Sequence, residues 1–395
     1  MVVSALEVIW IAIQVLIGYN LVLPLVLYLF YSLRSGGKPT ALRGYTEADY
    51  AIIVTAYEQT DTIKAVVDSI LKLNYTNYVV YIVADKCDVT SLVFEDARVV
   101  VLRPPQTLAS NTRSHFYAIN HFQRPHERLT IIDSDNLVAP EYLNELNTEF
   151  NKGYIAVQGL RKAKNLDTTY ACIDAARDIY YHFYDGVVLF GIGSSATLAG
   201  SGMAFTTALY RECLEHLDIS GAGFDKVLQR GIVSRGNRIA FTEKAEVYDE
   251  KTSRSDQLVN QRARWINTWF RYFKFGFSMC GAGITRFDRN RFLFGLTLLR
   301  PPLFMFLILS AIFMIANIFI SATGVIIWLA AFLCFAVGFA IAIVHAKPDK
   351  RIVRSLISSP KFIFYQLLSL LKVKKANKVS VATQHYHDSS INDVK

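Results

Sequence analysis

The sequence predicts an α/β domain with a mostly parallel, helix-covered sheet, set between membrane-spanning helices. Three observations carry that reading. Long uncharged apolar runs lie towards both ends of the 395-residue chain. Between them, over residues 48–265, strand-like and helix-like segments alternate, which is the pattern of parallel strands joined by crossover helices. Acidic residues follow the strand-like runs, and ligands bind beyond the strand ends in such sheets.

Composition agrees. Apolar residues make up 52% of the chain and charged residues 19%, below the roughly 25% of soluble proteins. The net charge of +9 sits largely beside the apolar runs, at Arg34, Lys38 and Arg43, then Arg289, Arg291 and Arg300, then Lys347, Lys350 and Arg351. Basic flanks of this kind mark the cytoplasmic side of a membrane. They argue against a nucleic-acid partner, since the central domain has no basic stripe with interleaved aromatics. The five cysteines show no metal-ligand spacing. Neither a zinc site nor a disulfide framework is indicated, which fits a reducing cytosol.

The elements follow in order. Residues 1–33 read as a membrane anchor, because no charge occurs from Val8 to Leu33 and roughly 20 apolar residues cross a bilayer. A signal peptide fits poorly, since the run is long and no basic residue precedes it. Residues 50–54 form a β-rich run. Residues 60–71 place Ile63, Val66, Val67 and Ile70 on one helical face. Residues 79–84, 98–102 and 129–132 are the next strands. Residues 266–299 mix aromatic with basic residues, as interfacial helices do.

Two more spans fill residues 301–345, the first opening on Pro301-Pro302, where missing N–H groups cost little. In residues 346–395, a short apolar run at 361–372 reads as an interfacial helix, followed by a mobile polar tail. The basic flanks orient the spans consistently, with the central domain in the cytoplasm of an integral inner- or plasma-membrane protein.

The chemistry lies after the strands. Asp85 and Asp88 follow one; Asp133-Ser134-Asp135-Asn136 follows another. Alternate carboxylates on a short turn present hard oxygens to Mg2+ or Mn2+, which bridges nucleotide phosphates. The stretch Ala199-Gly200-Ser201-Gly202 lets backbone approach a ligand. Asp225 opens a helical segment, either as a general base or as a favourable charge at a helix N-terminus. On a helix, Gln261, Arg264 and Trp265 share one face, bringing together an amide, a guanidinium for phosphate and an aromatic plane for sugar.

Taken in this order, with Arg238 to Phe241 and Val247 to Lys251 between Asp225 and Gln261, the motifs resemble the membrane-bound family 2 glycosyltransferases. This is the cellulose, chitin and hyaluronan synthase type that makes exopolysaccharide. The resemblance covers about residues 48–270. It implies a GT-A fold and inverting, metal-dependent transfer from a UDP-sugar to a growing β-linked polysaccharide at the cytoplasmic membrane face. Carried over by position, Tyr57 and Glu58 line the nucleotide pocket and Asp85 contacts the base. Asp133 serves the diphosphate and Asp135 the metal. Asp225 deprotonates the acceptor, and Gly202, Gln261, Arg264 and Trp265 lie against diphosphate and acceptor.

The chain departs from the family pattern at three places. Thr55-Ala56-Tyr57-Glu58-Gln59 replaces Pro-x-Tyr-Asn-Glu, Phe224 precedes Asp225 in place of Glu, and Arg113 or His115 stands near the position of a usual lysine, ahead of Ala118-Ile119-Asn120. Two alternatives accompany the synthase reading: a non-processive transferase for a lipid-linked or membrane-proximal acceptor, and a non-catalytic scaffold that binds nucleotide sugar. The presence of Asp135, Asp225 and Arg264 argues against the scaffold. A transporter is disfavoured because no charge lies within the apolar core of any span. Three spans make a thin wall for a polymer channel, so a synthase implies further copies or an export partner.

Overall fold

A computed structural model describes residues 5–34, 47–219, 221–376 and 390–393. The first helix, α1 (Ala5–Arg34), has 30 residues, about 45 Å at 1.5 Å per residue, enough to cross a bilayer with tilt. The α/β domain follows as β1 (Tyr50–Tyr57), α2 (Ile63–Leu71), β2 (Tyr78–Asp85), β3 (Val99–Leu102), α3 (Asn111–Asn120), β4 (Arg128–Asp133), β5 (Leu137–Val138), α4 (Tyr142–Asn151) and β6 (Ala156–Ala163). Next, α5 (Thr169–Tyr181) runs through a π-helical segment, His182–Val188, into the short α6 (Leu189–Gly191). The domain closes with β7 (Met203–Thr206), α7 (Thr207–Leu214), α8 (Phe224–Ser234) and β8 (Ala240–Asp249).

The eight strands form one sheet in the order β3-β2-β1-β4-β7-β6-β8-β5. β1 pairs in parallel with β2 and β4, β2 with β3, and β6 with β8; β7 and β5 run against their neighbours. β2 is buried along its whole length, as expected of a strand covered on both faces. One face packs Val66, Val67 and Ile70 of α2 with Leu143 and Leu146 of α4. The other packs Ala118 and Ile119 of α3, Leu209 of α7, and Leu228 and Ile232 of α8. The C-terminal ends of β1 and β4 are left open between these layers, and the acidic turn sits there.

Beyond the sheet come α9 (Ser255–Tyr272), the hairpin α10 (Lys274–Thr285) and α11 (Arg289–Leu299), then α12 (Leu303–Ile320) and α13 (Ala322–Ala346). The chain returns along α14 (Lys350–Ser355) and α15 (Ser359–Lys372), which packs on α9. Among the described residues, α1, α12 and α13 are the helices long and apolar enough to span a membrane. They are tied by a polar link, in which Gln14 Oε1 accepts from Asn317 Nδ2 at 2.5 Å and from Trp328 Nε1 at 2.8 Å. Such bonds join helices where lipid offers no hydrophobic drive. Lys38, Arg43 and most of the expected mobile tail lie outside the described residues.

Candidate active site

A cavity of about 620 Å3 runs from the ends of β1 and β4 to the start of α12. At its sheet end lie Tyr57, Gln59, Thr62 and Asn111. The acidic turn follows β4, with Asp133 and Asp135 both on the cavity wall. Buried Ser201 fixes this turn, because its hydroxyl accepts from Asp133 N at 3.1 Å and from Asn136 Nδ2 at 2.7 Å. Thr62 Oγ1 donates to Ser134 O at 2.6 Å, and Lys164 Nζ to Asp135 O at 3.0 Å. The small-residue loop and the acidic turn are therefore one bonded unit. Gly202 shapes it from behind: its φ is +66°, and a Cβ there would stand 2.6 Å from Val247 Cγ2.

Asp133 and Asp135 fit a hard divalent cation. Mg2+ is commonly held by one or two carboxylates together with substrate phosphates, without an all-protein cage. Among the described residues, no group of three or more His, Cys, Asp or Glu side chains is placed to hold a metal ion by itself.

Asp225 also lines the cavity, as the second residue of α8. Gly223 begins that helix at φ +105°, packed so closely on α9 that a Cβ would meet Tyr272 Cε2 at 2.6 Å. Along α9, Gln261, Arg262, Trp265, Trp269 and Tyr272 face the cavity. Two guanidinium groups lie against the Trp265 ring, Arg262 at 4.1 Å and Arg177 at 4.5 Å from its centroid. Arg264 is not on the cavity wall, and burial lowers its guanidinium from the usual value.

Four other residues singled out in the sequence stand off the wall. Glu58, at φ +61°, pairs with Lys86 at 2.7 Å. Buried Asp85 accepts from Leu108 N at 2.9 Å and Ala109 N at 2.7 Å, and so ties β2 to the loop before α3. Arg113 forks onto Asp218 at 2.9 and 2.7 Å. Gly202 acts through packing, as described.

The cavity floor is a charged chain that local sequence reading passed over. Arg161 pairs with Asp249, which meets Lys251 at 2.9 Å. Lys251 pairs with Asp178, which meets Arg177 at 2.6 Å. Arg177 reaches Asp174 at 3.1 Å, and Asp174 pairs with Arg262. Burial opposes charge on Asp178, yet Lys251 and Arg177 outweigh it and hold the carboxyl well below its ordinary range. Burial, followed by the neighbouring Arg177, pushes Arg262 down to about 10. His182, on the π-helical segment, is pushed down to about 4 by burial first.

The far wall is apolar: Pro301, Pro302, Leu303 and Phe304 open α12. Two contacts bind it to the domain. Arg300 pairs with Asp185, and Leu303 N donates to Tyr181 Oη at 3.1 Å.

The family model described as Glycosyltransferase like family 2 matches residues 48–268, more than half of the chain. The chain belongs to glycosyltransferase family 2. Among solved structures, the glycosyltransferase is similar to the mannosyltransferase PcManGT from Pyrobaculum calidifontis in complex with GDP-Man and Mn2+. The TM-score is 0.57 at 16% identity, over 94% of this chain and 100% of that one. At this identity the likeness speaks to the fold alone, and the fold is GT-A with flanking apolar helices. S. aureus TarS 1-349 aligns with a TM-score of 0.39 at 15% identity, over 84% of this chain and 90% of that one, too loosely to add to it. No curated protein matches the chain.

Proposed function

We propose that this glycosyltransferase moves a sugar, with inversion, from a nucleoside diphosphate sugar to an acceptor hydroxyl at the cytoplasmic membrane face. One observation carries the reading: Asp133 and Asp135, Asp225, and the α9 residues Gln261 and Trp265 share a single cavity that ends at the start of α12, a helix long and apolar enough to span a membrane. Asp225 takes the acceptor proton as the hydroxyl oxygen bonds to the sugar C1. The bond from C1 to the diphosphate oxygen breaks, and the nucleoside diphosphate leaves. Asp133 and Asp135 would hold a divalent cation, which when bound would offset the negative charge of the leaving diphosphate. Gln261 and Trp265 orient the acceptor, and Tyr57 packs on the nucleotide.

The resemblance favours UDP as the nucleotide, and the PcManGT complex with GDP-Man and Mn2+ adds GDP to the donors worth assaying. The apolar wall at Pro301 to Phe304 favours an acceptor that arrives from the bilayer, as a lipid-linked one does. A second reading, elongation of a β-linked polysaccharide, is favoured by Gln261 and Trp265 at the acceptor end.

The test is nucleotide release by the purified full chain with a panel of UDP- and GDP-sugars, with Mg2+, Mn2+ or chelator. Release with one donor, lost on chelation, is the expected result. Release unaffected by chelation overturns the metal, and nucleotide binding without release from any donor, acceptor extract included, overturns the transferase.

A further inference from the structure

Outside the cavity, three arginines converge on one turn with no acid among them. The turn follows α6, and its carbonyls accept from two of the three. Arg34 Nη1 donates to Ile192 O at 3.0 Å, and Arg238 donates from Nε to Ser194 O at 2.8 Å and from Nη2 to Phe190 O at 2.6 Å. The third, Arg289, lies over Gly193, where a side chain would run into its guanidinium. Burial first lowers Arg238 from its ordinary value; Tyr154 acts against this, and the charges of Arg289 and Arg34 add to it. Among the described residues, no carboxylate pairs with any of the three. The sequence beyond Arg34 brings Lys38 and Arg43, and no carboxylate before Glu47.

Capping of the last carbonyls of α6 accounts for Arg34 and Arg238, since cations suit a helix C-terminus. It does not account for Arg289, whose guanidinium makes no hydrogen bond among the described residues. Guanidinium groups gathered without a counter-charge repel one another, and phosphate is an anion whose oxygens match their forks. The position says where such a phosphate comes from. Arg34 ends α1, a helix long and apolar enough to span a membrane, and the Tyr31 ring packs on Gly191 at the end of α6. Beside Arg289, the turn between α10 and α11 presents Phe287, 98% exposed, and Ile284, 63% exposed. Basic and apolar side chains set together in this way suit the boundary between headgroups and acyl chains. None of the three arginines lines the cavity of the acidic turn.

We infer that Arg34, Arg238 and Arg289 bind the phosphate of an anionic phospholipid, with Phe287 and Ile284 set among its acyl chains. The site is separate from the transferase cavity, and the lipid it holds is neither donor nor acceptor. The inference rests on α1 lying in a bilayer and not on the sugar-transfer reading. The phosphate supplies the counter-charge that the turn after α6 lacks. It thereby ties the end of α1 and the α10–α11 hairpin to one face of the α/β domain.

The test measures retention of dioleoyl phosphatidylglycerol against dioleoyl phosphatidylcholine by the detergent-purified full chain, read by native mass spectrometry. Arg289→Gln is the first variant, because it removes a charge and no hydrogen bond among the described residues. The double variant Arg34→Gln with Arg289→Gln follows, and Lys350→Gln is a matched loss of one charge elsewhere beside the apolar helices. Wild type is expected to prefer phosphatidylglycerol by about tenfold or more. Loss of one arginine is expected to cut the preference about fivefold, and loss of two to bring it near parity, while Lys350→Gln keeps it. No preference in wild type overturns the inference, and so does a preference that survives in both arginine variants. An equal loss in Lys350→Gln assigns the effect to general charge, with the same consequence. Displacement by glycerol 3-phosphate at matched concentration shows a site for free phosphate, and displacement by a nucleoside diphosphate shows a donor site; either overturns it. Nucleotide binding and the thermal midpoint, measured on the same samples, report separately on the transferase reading and on folding.

Discussion

Lys226 Nζ lies 3.0 Å from Asp225 Oδ2, so this acid on the cavity wall is one half of an ion pair. The lysine also approaches Leu198 O at 3.4 Å, in the loop that leads to Ser201 and the acidic turn. The pair thereby sets the helix carrying the proposed base against the loop that fixes the acidic turn. A carboxylate held this way is oriented before an acceptor arrives.

The first prediction follows from that placement. Asp225→Asn keeps shape and hydrogen-bonding reach but cannot take a proton, so turnover falls by about 10²–10⁴-fold. Nucleotide affinity stays near wild type, because the acidic turn is untouched. Turnover from single-addition assays and nucleotide affinity from calorimetry test the two halves separately. Wild-type turnover in this variant removes the proposed base.

Asp135→Ala acts on the other side of the reaction. Mn2+-dependent nucleotide binding weakens, while whatever binding survives chelation is unchanged. Titrations with and without chelator give the comparison, and identical curves for variant and wild type would sink the metal assignment.

Gly223→Ala tests the seam between α8 and α9. The new methyl meets Tyr272 Cε2 at 2.6 Å and Thr268 Cγ2 at 2.7 Å, on backbone at φ +105° that L-residues rarely adopt. Strain of this kind costs about 1–3 kcal/mol. The expected outcome is a lower thermal midpoint and a fall in turnover, from displacement of Asp225 relative to Gln261 and Trp265. A variant that matches wild type in both would show that the seam tolerates movement.

Lys251→Met leaves the carboxylates of Asp178 and Asp249 buried with one cation fewer. Lys251 is 2% exposed, and breaking a buried pair from one side costs about 3–5 kcal/mol. Thermal unfolding in detergent is the measurement. A Lys251→Met midpoint equal to wild type would mean that water or a shifted arginine replaces the lysine.

A pH dependence follows from His115 and His182. Burial pushes His115 down to about 3, and burial first pushes His182 down to about 4. Both are neutral when folded, while the unfolded chain binds their protons below about 6.5. The unfolded state therefore gains protons first as the pH falls. Stability is full above about 6.5 and declines towards 4, by about 1.4 kcal/mol per histidine at one unit below 6.5. Unfolding midpoints at pH 7.5 and 5.5 measure the slope, and His115→Gln is expected to flatten it.

Much of the fold was legible because its signals are local. The run at 79–84 became β2 with one residue added at each end, and the amphipathic stretch at 60–71 became α2 from Ile63. The three uncharged runs became α1, α12 and α13. The acidic turn was readable for the same reason, since both carboxylates lie within three residues of one another.

The charged floor was not readable. Asp174 and Arg262, like Arg161 and Asp249, stand 88 positions apart, and pairing at that range leaves no periodic trace. Asp249 and Lys251 came into view only as part of a motif. On α9 the helical face grouped Gln261 with Arg264 and Trp265. The cavity instead takes Arg262, because Asp174 and Phe362, on other helices, hold that side chain where the Trp265 ring covers it. No helix read alone reveals which of its arginines a distant aspartate will capture.

The contacts of Arg300 with Asp185, and of Leu303 with Tyr181, bind the start of α12 to the α/β domain as one wall of the cavity. A fragment cut before residue 300 would keep every carboxylate of the acidic turn and the proposed base, yet lack one side of its container. For the same reason the α/β domain and the apolar helices are poor candidates for exchange between relatives. In a lineage of such enzymes they would be inherited as a unit, with substitutions at the seam arising in matched pairs.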